Sequence, residues 1–267
     1  ELPQGSYQLS AGYRRGVSDT LHFAVESGAT TRLEPVSFAR PPWGTTVAAG
    51  PGKRFSGTGQ RIRAGAGVRR GPWITLTPAD GLPLGGISSI YQDAQGNLWF
   101  GSRNGIARYD GQGFVALTAY QYTVEPAVGF VEDLAGNIWF STTWYGVTRY
   151  DGESFVTFDT KDGLPQDYVR GMRADSAGNV WFITNLGLAR YDGHSFTTYT
   201  DEDAPRLSGT VSGIEEDSAG NMWFGVYGGV VRYDGQDFVT IELNKNDVFF
   251  VSVIEEDSAG NIWFGGW

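Results

Sequence analysis

Asp175-Ser176-Ala177-Gly178-Asn179-Val180-Trp181-Phe182 carries a complete hairpin signal within eight residues. Aspartate accepts N–H bonds inside its own turn, Gly and Asn tolerate positive φ, and Val-Trp-Phe favours a strand. Working outward, Val169 to Ala174 reads as a first strand and Val180 to Ile183 as a second. Leu188-Ala189-Arg190-Tyr191 is a third, ending at the two-residue turn Asp192-Gly193, and Phe196 to Tyr199 is the outermost. Four antiparallel strands in about 42 residues make one blade of a β-propeller.

The signal Asp-x-x-Gly-Asn-x-Trp-Phe recurs at Asp93, Asp133, Asp175, Asp217 and Asp257, with intervals of 40, 42, 42 and 40 residues. A period near forty with one aromatic register predicts stacked blades. The third-strand ending recurs as Arg108-Tyr109-Asp110-Gly111, Arg149-Tyr150-Asp151-Gly152 and Arg232-Tyr233-Asp234-Gly235. Trp99, Trp139, Trp181, Trp223 and Trp263 are expected to pack between neighbouring blades, because a blade cannot bury its faces alone. The repeated Asp residues lack the dense ligand spacing of a calcium loop and read as turn formers. No metal site and no cofactor is predicted.

Four copies are complete across 84–243, and the fifth, from Val248 to Trp267, stops after its second strand. At the other end, Trp73 to Thr77 followed by Asp80-Gly81-Leu82-Pro83 mirrors Ser154 to Phe158 followed by Asp162-Gly163-Leu164-Pro165. Trp73 to Thr77 therefore reads as an outermost strand, with Gly65 to Arg70 as its third strand. The fold class is all-β, a propeller of four-stranded antiparallel blades. Five blades closed by pairing the N- and C-terminal half-blades would remove exposed sheet edges. The alternative is a fragment of a seven-bladed propeller.

Hydrophobic residues make up 40% of the 267, with 39 Gly and no Cys, so no disulfide or thiolate metal site can form. A net charge of −10 argues against a nucleic-acid partner, which needs a basic surface. No run of 18 apolar residues exists, so no membrane insertion is expected within this chain. It begins at Glu1 without Met or a signal region, and reads as a mature product or a piece of something longer. Residues 1–40 form a short β segment, with alternation over 5–13, 20–25 and 31–38, a sandwich remnant or docking strands. Residues 41–62, rich in Pro and Gly, read as a linker, and 63–267 as the propeller.

Gly96-Asn97-Leu98-Trp99-Phe100-Gly101, Gly105 to Gly111 and Asp80-Gly81-Leu82-Pro83 together resemble the two-component regulator propeller repeat, over about 195 residues. The resemblance implies a sensor-type β-propeller of the kind found in extracellular parts of bacterial hybrid histidine kinases, many responsive to polysaccharide fragments. It implies a periplasmic or extracellular location and membership of a longer sensor protein. Such propellers usually carry seven blades and continue into a membrane span and a kinase, neither of which this chain contains. Leu2 to Phe38 is also similar to the last strands of carboxypeptidase-regulatory-like sandwiches.

The first-to-second and third-to-fourth turns lie on one face of a propeller, and here they are the constant Asp-x-x-Gly-Asn and Asp-Gly sequences. The second-to-third loops and the blade connections lie on the opposite face, where the copies diverge and binding has room to evolve. Candidate ligand-binding residues there are Arg103, Asn104, Trp144, Tyr145, Asn185, Tyr227 and Trp267, with Tyr120, Tyr122 and Tyr168 in the connections. Aromatics beside Asn and Arg suit a glycan, whose C–H faces stack on rings, or a protein ligand. The plainer reading is that Trp144 and Tyr227 cap the central channel. No catalytic residue is assigned. A carbohydrate-active enzyme would need a carboxylate pair such as Glu202 with Asp167 or Glu125. His22 and His194 are far apart in sequence, and His194 falls in a turn of the constant face. A structural interaction module is the third reading.

Overall fold

The structure, a computed structural model, describes residues 5–12, 18–25, 44–56, 60–70, 72–117, 127–142, 144–209, 211–243 and 250–266. The chain divides into two compact units, Glu1–Trp43 and Gly44–Trp267. In the first, Gly5–Gly12 pairs antiparallel with Ser18–Val25, as the alternation predicts. The expected strand over 31–38 lies outside the described residues, as do Tyr120, Tyr122, Glu125 and Trp267.

The second unit is a β-propeller array. Blade 1 comprises Ile87–Gln92, Leu98–Ser102, Gly105–Tyr109 and Gly113–Leu117. Blade 2 comprises Ala127–Glu132, Ile138–Thr142, Val147–Tyr150 and Ser154–Phe158. Blade 3 comprises Val169–Ala174, Val180–Thr184, Gly187–Tyr191 and Ser195–Tyr199. Blade 4 comprises Gly213–Glu216, Met222–Val226, Gly229–Tyr233 and Phe238–Glu242. Val251–Glu256 and Ile262–Gly266 repeat the first two strands as a separate sheet.

Each repeated aspartate organises its blade locally. In blade 3 the Asp175 carboxylate accepts from Asn179 N at 2.7 Å, from Asn179 Nδ2 at 2.8 Å and from the Trp181 indole N–H at 2.7 Å. Asp93, Asp133, Asp217 and Asp257 repeat the arrangement with Trp99, Trp139, Trp223 and Trp263. A carboxylate surrounded by N–H donors serves as the organiser of its turn and is poorly placed for a cation. The anchored indole then reaches the next blade. Trp139 meets Phe182 and Tyr191 at 5.7 and 5.3 Å, and Trp181 meets Phe224 and Tyr233 at 5.4 and 5.6 Å. Arg149 and Arg190, directly opposite these Trp residues in the ladder, hold their guanidinium carbons 5.8 and 5.7 Å from the ring centroids.

The turns at Asp93 and Asp217 are expected to make the fold acid-sensitive. Burial opposes ionisation of Asp93 and Asp217, but hydrogen bonds from the Trp indoles, from Asn97 and Asn221 and from backbone N–H groups outweigh it and lower both pKa values. A carboxyl lowered in the folded state adds stability above its unfolded pKa, about 4, and loses it as pH falls through the folded value. The near-ultraviolet Trp circular dichroism is therefore expected to hold from pH 7 to about pH 4 and to collapse below it. A signal lost already near pH 6 would contradict this.

The 41–62 stretch differs from the linker expectation. Thr45–Ala48, Lys53–Ser56 and Gln60–Arg63 are strands that pair with the outermost strands of blades 3, 2 and 1 respectively, giving each sheet a fifth strand. The segment thus runs backwards around the rim as a strap. Glycines space its strands: Gly44 and Gly52 donate their N–H to Asp203 Oδ1 at 2.8 Å and Asp162 Oδ1 at 3.0 Å. Gly67 does the same to Asp80 Oδ1 at 3.1 Å.

That third contact corrects the expectation for Gly65 to Arg70. Val68–Arg70 pairs with Trp73–Thr75 in the register Val68↔Thr75 and Arg70↔Trp73, matching Lys53↔Thr157 and Phe55↔Phe155 at blade 2. The strand is therefore a strap strand lying outside the outermost strand, not a third strand inside it. The five-blade expectation relied on third and fourth strands at this end; the structure supplies a fourth and a fifth. Among the described residues this hairpin and the 251–266 hairpin remain separate two-stranded sheets.

Candidate functional site

The divergent loops and connections interlock from blade to blade. Trp144, in the second-to-third loop of blade 2, lies 4.9 Å ring to ring from Tyr168 in the connection entering blade 3. Gly146 N in the same loop donates to Asp167 O at 2.9 Å. Gln166 Oε1 accepts from Asn185 N at 2.9 Å, in the blade 3 loop. Ser208 Oγ, in the next connection, reaches Leu186 O at 3.4 Å, and Arg206 Nη1 donates to Tyr227 O at 3.0 Å. Tyr227 ends the series edge-to-face with Phe250 at 5.0 Å. These contacts form one continuous arc from blade 2 to the last sheet.

Large apolar surface stays open along that arc. Trp144 is 60% exposed and Tyr227 41%, with Tyr145 and Leu186 also exposed. Trp144 rests against Tyr168 and Tyr227 against Phe250, yet both rings keep a large share of their surface open to solvent on the loop face. Of the expected residues, Trp144, Tyr145, Asn185 and Tyr227 fall on the arc. Arg103 and Asn104 sit on the blade 1 loop, and the Asn104 amide donates to Leu84 O at 3.1 Å, so part of it serves the loop itself. Trp267 lies outside the described residues.

Sequence reading missed Gln166, Arg206 and Phe250. Gln166 and Phe250 give no signal, because their importance is a matter of which loop they meet. Arg206 does give one: where blades 1 and 3 are entered through Asp80-Gly81-Leu82 and Asp162-Gly163-Leu164, blade 4 is entered through Asp203-Ala204-Pro205-Arg206-Leu207. Arg206 has φ 72°, the one described non-glycine residue in the left-handed region, a conformation costing about 1–2 kcal/mol.

Of the carboxylates weighed for catalysis, Glu125 lies outside the described residues and Asp167 is engaged within its loop. Asp167 Oδ1 accepts Thr160 N at 2.8 Å, which shapes the 160–167 connection. Glu202 is exposed, its N–H turned to Thr200 Oγ1 at 3.3 Å. His194 lies in the Asp192 turn on the constant face, where its carbonyl accepts the strap's Ala49 N–H at 2.8 Å. Nearer the axis, burial raises the pKa of Glu215, and the Arg173 guanidinium, hydrogen-bonded to it across blades 3 and 4, pulls the other way. Among the described residues no cluster of three or more His, Asp or Glu is arranged to hold a metal ion.

The sequence pattern described as the two component regulator propeller matches residues 81–104, from the Asp-Gly-Leu-Pro turn through the first hairpin of blade 1. Comparison with curated proteins finds no match. Among solved structures, the extracellular domain of BT4673 from B. thetaiotaomicron, described as a hybrid two component system, aligns with TM-score 0.56 and 22% identity over 67% of this chain and 27% of that one. Virginiamycin B lyase from Staphylococcus aureus, in a catalytically inactive form with quinupristin, aligns with TM-score 0.57 and 18% identity, over 70% of this chain and 66% of that one. YCF48 bound to D1 peptide aligns with TM-score 0.53 and 14% identity, over 73% and 66%. The chain spans about a quarter of the length of the BT4673 extracellular domain. At these identities the likeness establishes the β-propeller fold. No helix among the described residues is long and apolar enough to cross a membrane.

Proposed function

We propose that this chain, whose residues 81–104 match the two component regulator propeller pattern, is a non-catalytic, ligand-binding sensor domain that receives a glycan on its divergent loop face. The observation that carries this reading is the Trp144–Tyr168 pair, an open aromatic platform at one end of a continuous polar arc. Sugar rings present C–H faces to aromatic planes, and the arc's Asn185, Gln166 and Ser208 offer the planar and hydroxyl groups that sugar oxygens need. A protein ligand could use the same arc, but it would call for a broader apolar patch than these separated aromatics offer. The reading places the domain outside the cytoplasm, as the ligand-receiving part of a longer sensor.

The test is binding to an array of plant, bacterial and animal glycans, followed by calorimetry on any hit. Trp144→Ala is expected to weaken binding by at least tenfold while leaving the melting temperature within about 2 °C, because the ring is largely in solvent. Replacing Leu134, exposed on the constant face, should have no effect on affinity. Binding that survives Trp144→Ala but fails on the constant face would put the site on the wrong side of the disc.

A further inference from the structure

Arg206 ties its own connection to the second-to-third loop of blade 4 and to the end of that blade's outermost strand, two segments already paired at Gly229↔Glu242. Its Nη1 donates to Tyr227 O at 3.0 Å, and its Nη2 lies 3.6 Å from Glu242 Oε1 at the end of blade 4's outermost strand. A Cβ on Gly228 would stand 3.0 Å from Arg206 Nη1, so the guanidinium occupies the space a side chain there would take. The strain has a visible origin. Leu164 and Leu207 are both buried at the foot of their connections, but Leu207 follows its capping aspartate by four positions and Leu164 by two. Pro205 has its own φ fixed by its ring, so the surplus chain turns at Arg206.

Glycine adopts φ 72° without penalty, and a residue needed only to complete the loop would be served best by glycine. Strained non-glycine residues persist where the side chain is needed in that place. We propose that Arg206 is the positioning residue of the ligand face: it clamps the Tyr227–Gly228 loop and so sets the angle at which the Tyr227 ring is offered. The inference rests on the arc being the binding face. Lysine would keep the charge but not the planar fork that reaches a carbonyl and a carboxylate together.

Hydrogen exchange on the full chain tests the clamp without a ligand. The Leu243 amide donates to Gly228 O at 3.1 Å and reports on the loop directly. In Arg206→Gly the Leu243 and Gly229 amides are expected to exchange at least tenfold faster, with the rest of blade 4 unchanged and no fall in melting temperature. For any glycan the wild type binds, affinity should fall at least fivefold in Arg206→Gly and recover in part in Arg206→Lys. Exchange unchanged within twofold, a general loosening of blade 4, or a loosened loop with unaltered affinity each overturns the proposal. If the wild type binds no glycan, the proposed function fails instead, while the exchange result still decides whether the clamp exists.

Discussion

Trp181→Ala is expected to destabilise the protein by about 4 kcal/mol, the range found for removing a fully buried Trp. The ring is 1% exposed and lies within 5.4–5.6 Å of Tyr199, Phe224 and Tyr233, so its loss opens a cavity between blades 3 and 4. It also strips the Asp175 carboxylate of its indole donor and the Arg190 guanidinium of its aromatic face. The chain contains its own control. Trp263 occupies the same position of the repeat and makes the same bond to its aspartate, at 2.8 Å, yet is 64% exposed. Trp263→Ala should therefore cost below about 1 kcal/mol. Urea denaturation followed by far-ultraviolet circular dichroism measures both. Equal losses would show that the Asp–Trp bond, and not inter-blade packing, is what the repeat preserves.

The second large effect concerns the strap. Asp162, nearly buried, accepts the N–H of Asp159 at 3.2 Å inside its turn and the N–H of Gly52 at 3.0 Å from the strap, while its carbonyl accepts Gly50 N at 2.8 Å. Asp162→Ala leaves two backbone donors without acceptors, an expected loss of about 2–3 kcal/mol. The damage should be local at first: Lys53 and Arg54 lie on the strap strand next to the lost contact, so trypsin should cut there at least several-fold faster than in the wild type. The Lys53–Asp159 ion pair, at 3.0 Å with the lysine more than half exposed, contributes little to holding the strap. Asp162→Asn, which keeps one acceptor oxygen, should fall in between. Unchanged proteolysis at Lys53 and Arg54 in Asp162→Ala would mean that the ladder to Ser154–Phe158 alone secures the strap.

The blades were legible because their determinants are close in sequence. Asp175 meets Asn179 and Trp181 across separations of 4 and 6 residues, so the turn and the indole anchor are written in one short phrase. Copying that phrase at a constant interval makes the stacking legible too. The strap was not legible, since its short strands of four residues separated by glycines look like linker until the blade edges are in place. Gly44, Gly52, Gly59 and Gly67 do recur along the sequence at intervals of 8, 7 and 8, but the aspartate partners of Gly44, Gly52 and Gly67 do not reveal themselves by position. For the same reason the sequence alone places Gly65 to Arg70 inside a blade: an edge strand has the same local pattern whichever side it adds to.

For the site, divergence among the copies points to the loop face, and four of the residues expected there fall on the arc its loops and connections form. Which loops touch was beyond its reach, as was the strain at Arg206. The sequence by itself determined the blade, its Asp-anchored turn and the tryptophan that seats one blade on the next, because those rest on hydrogen bonds a few residues long. Only the tertiary structure decided that a Pro- and Gly-rich stretch straps the rim, since Gly52 finds Asp162 110 residues away and Gly44 finds Asp203 159 residues away. Contacts of that span exist only once the blades have stacked and brought their edges beside the strap.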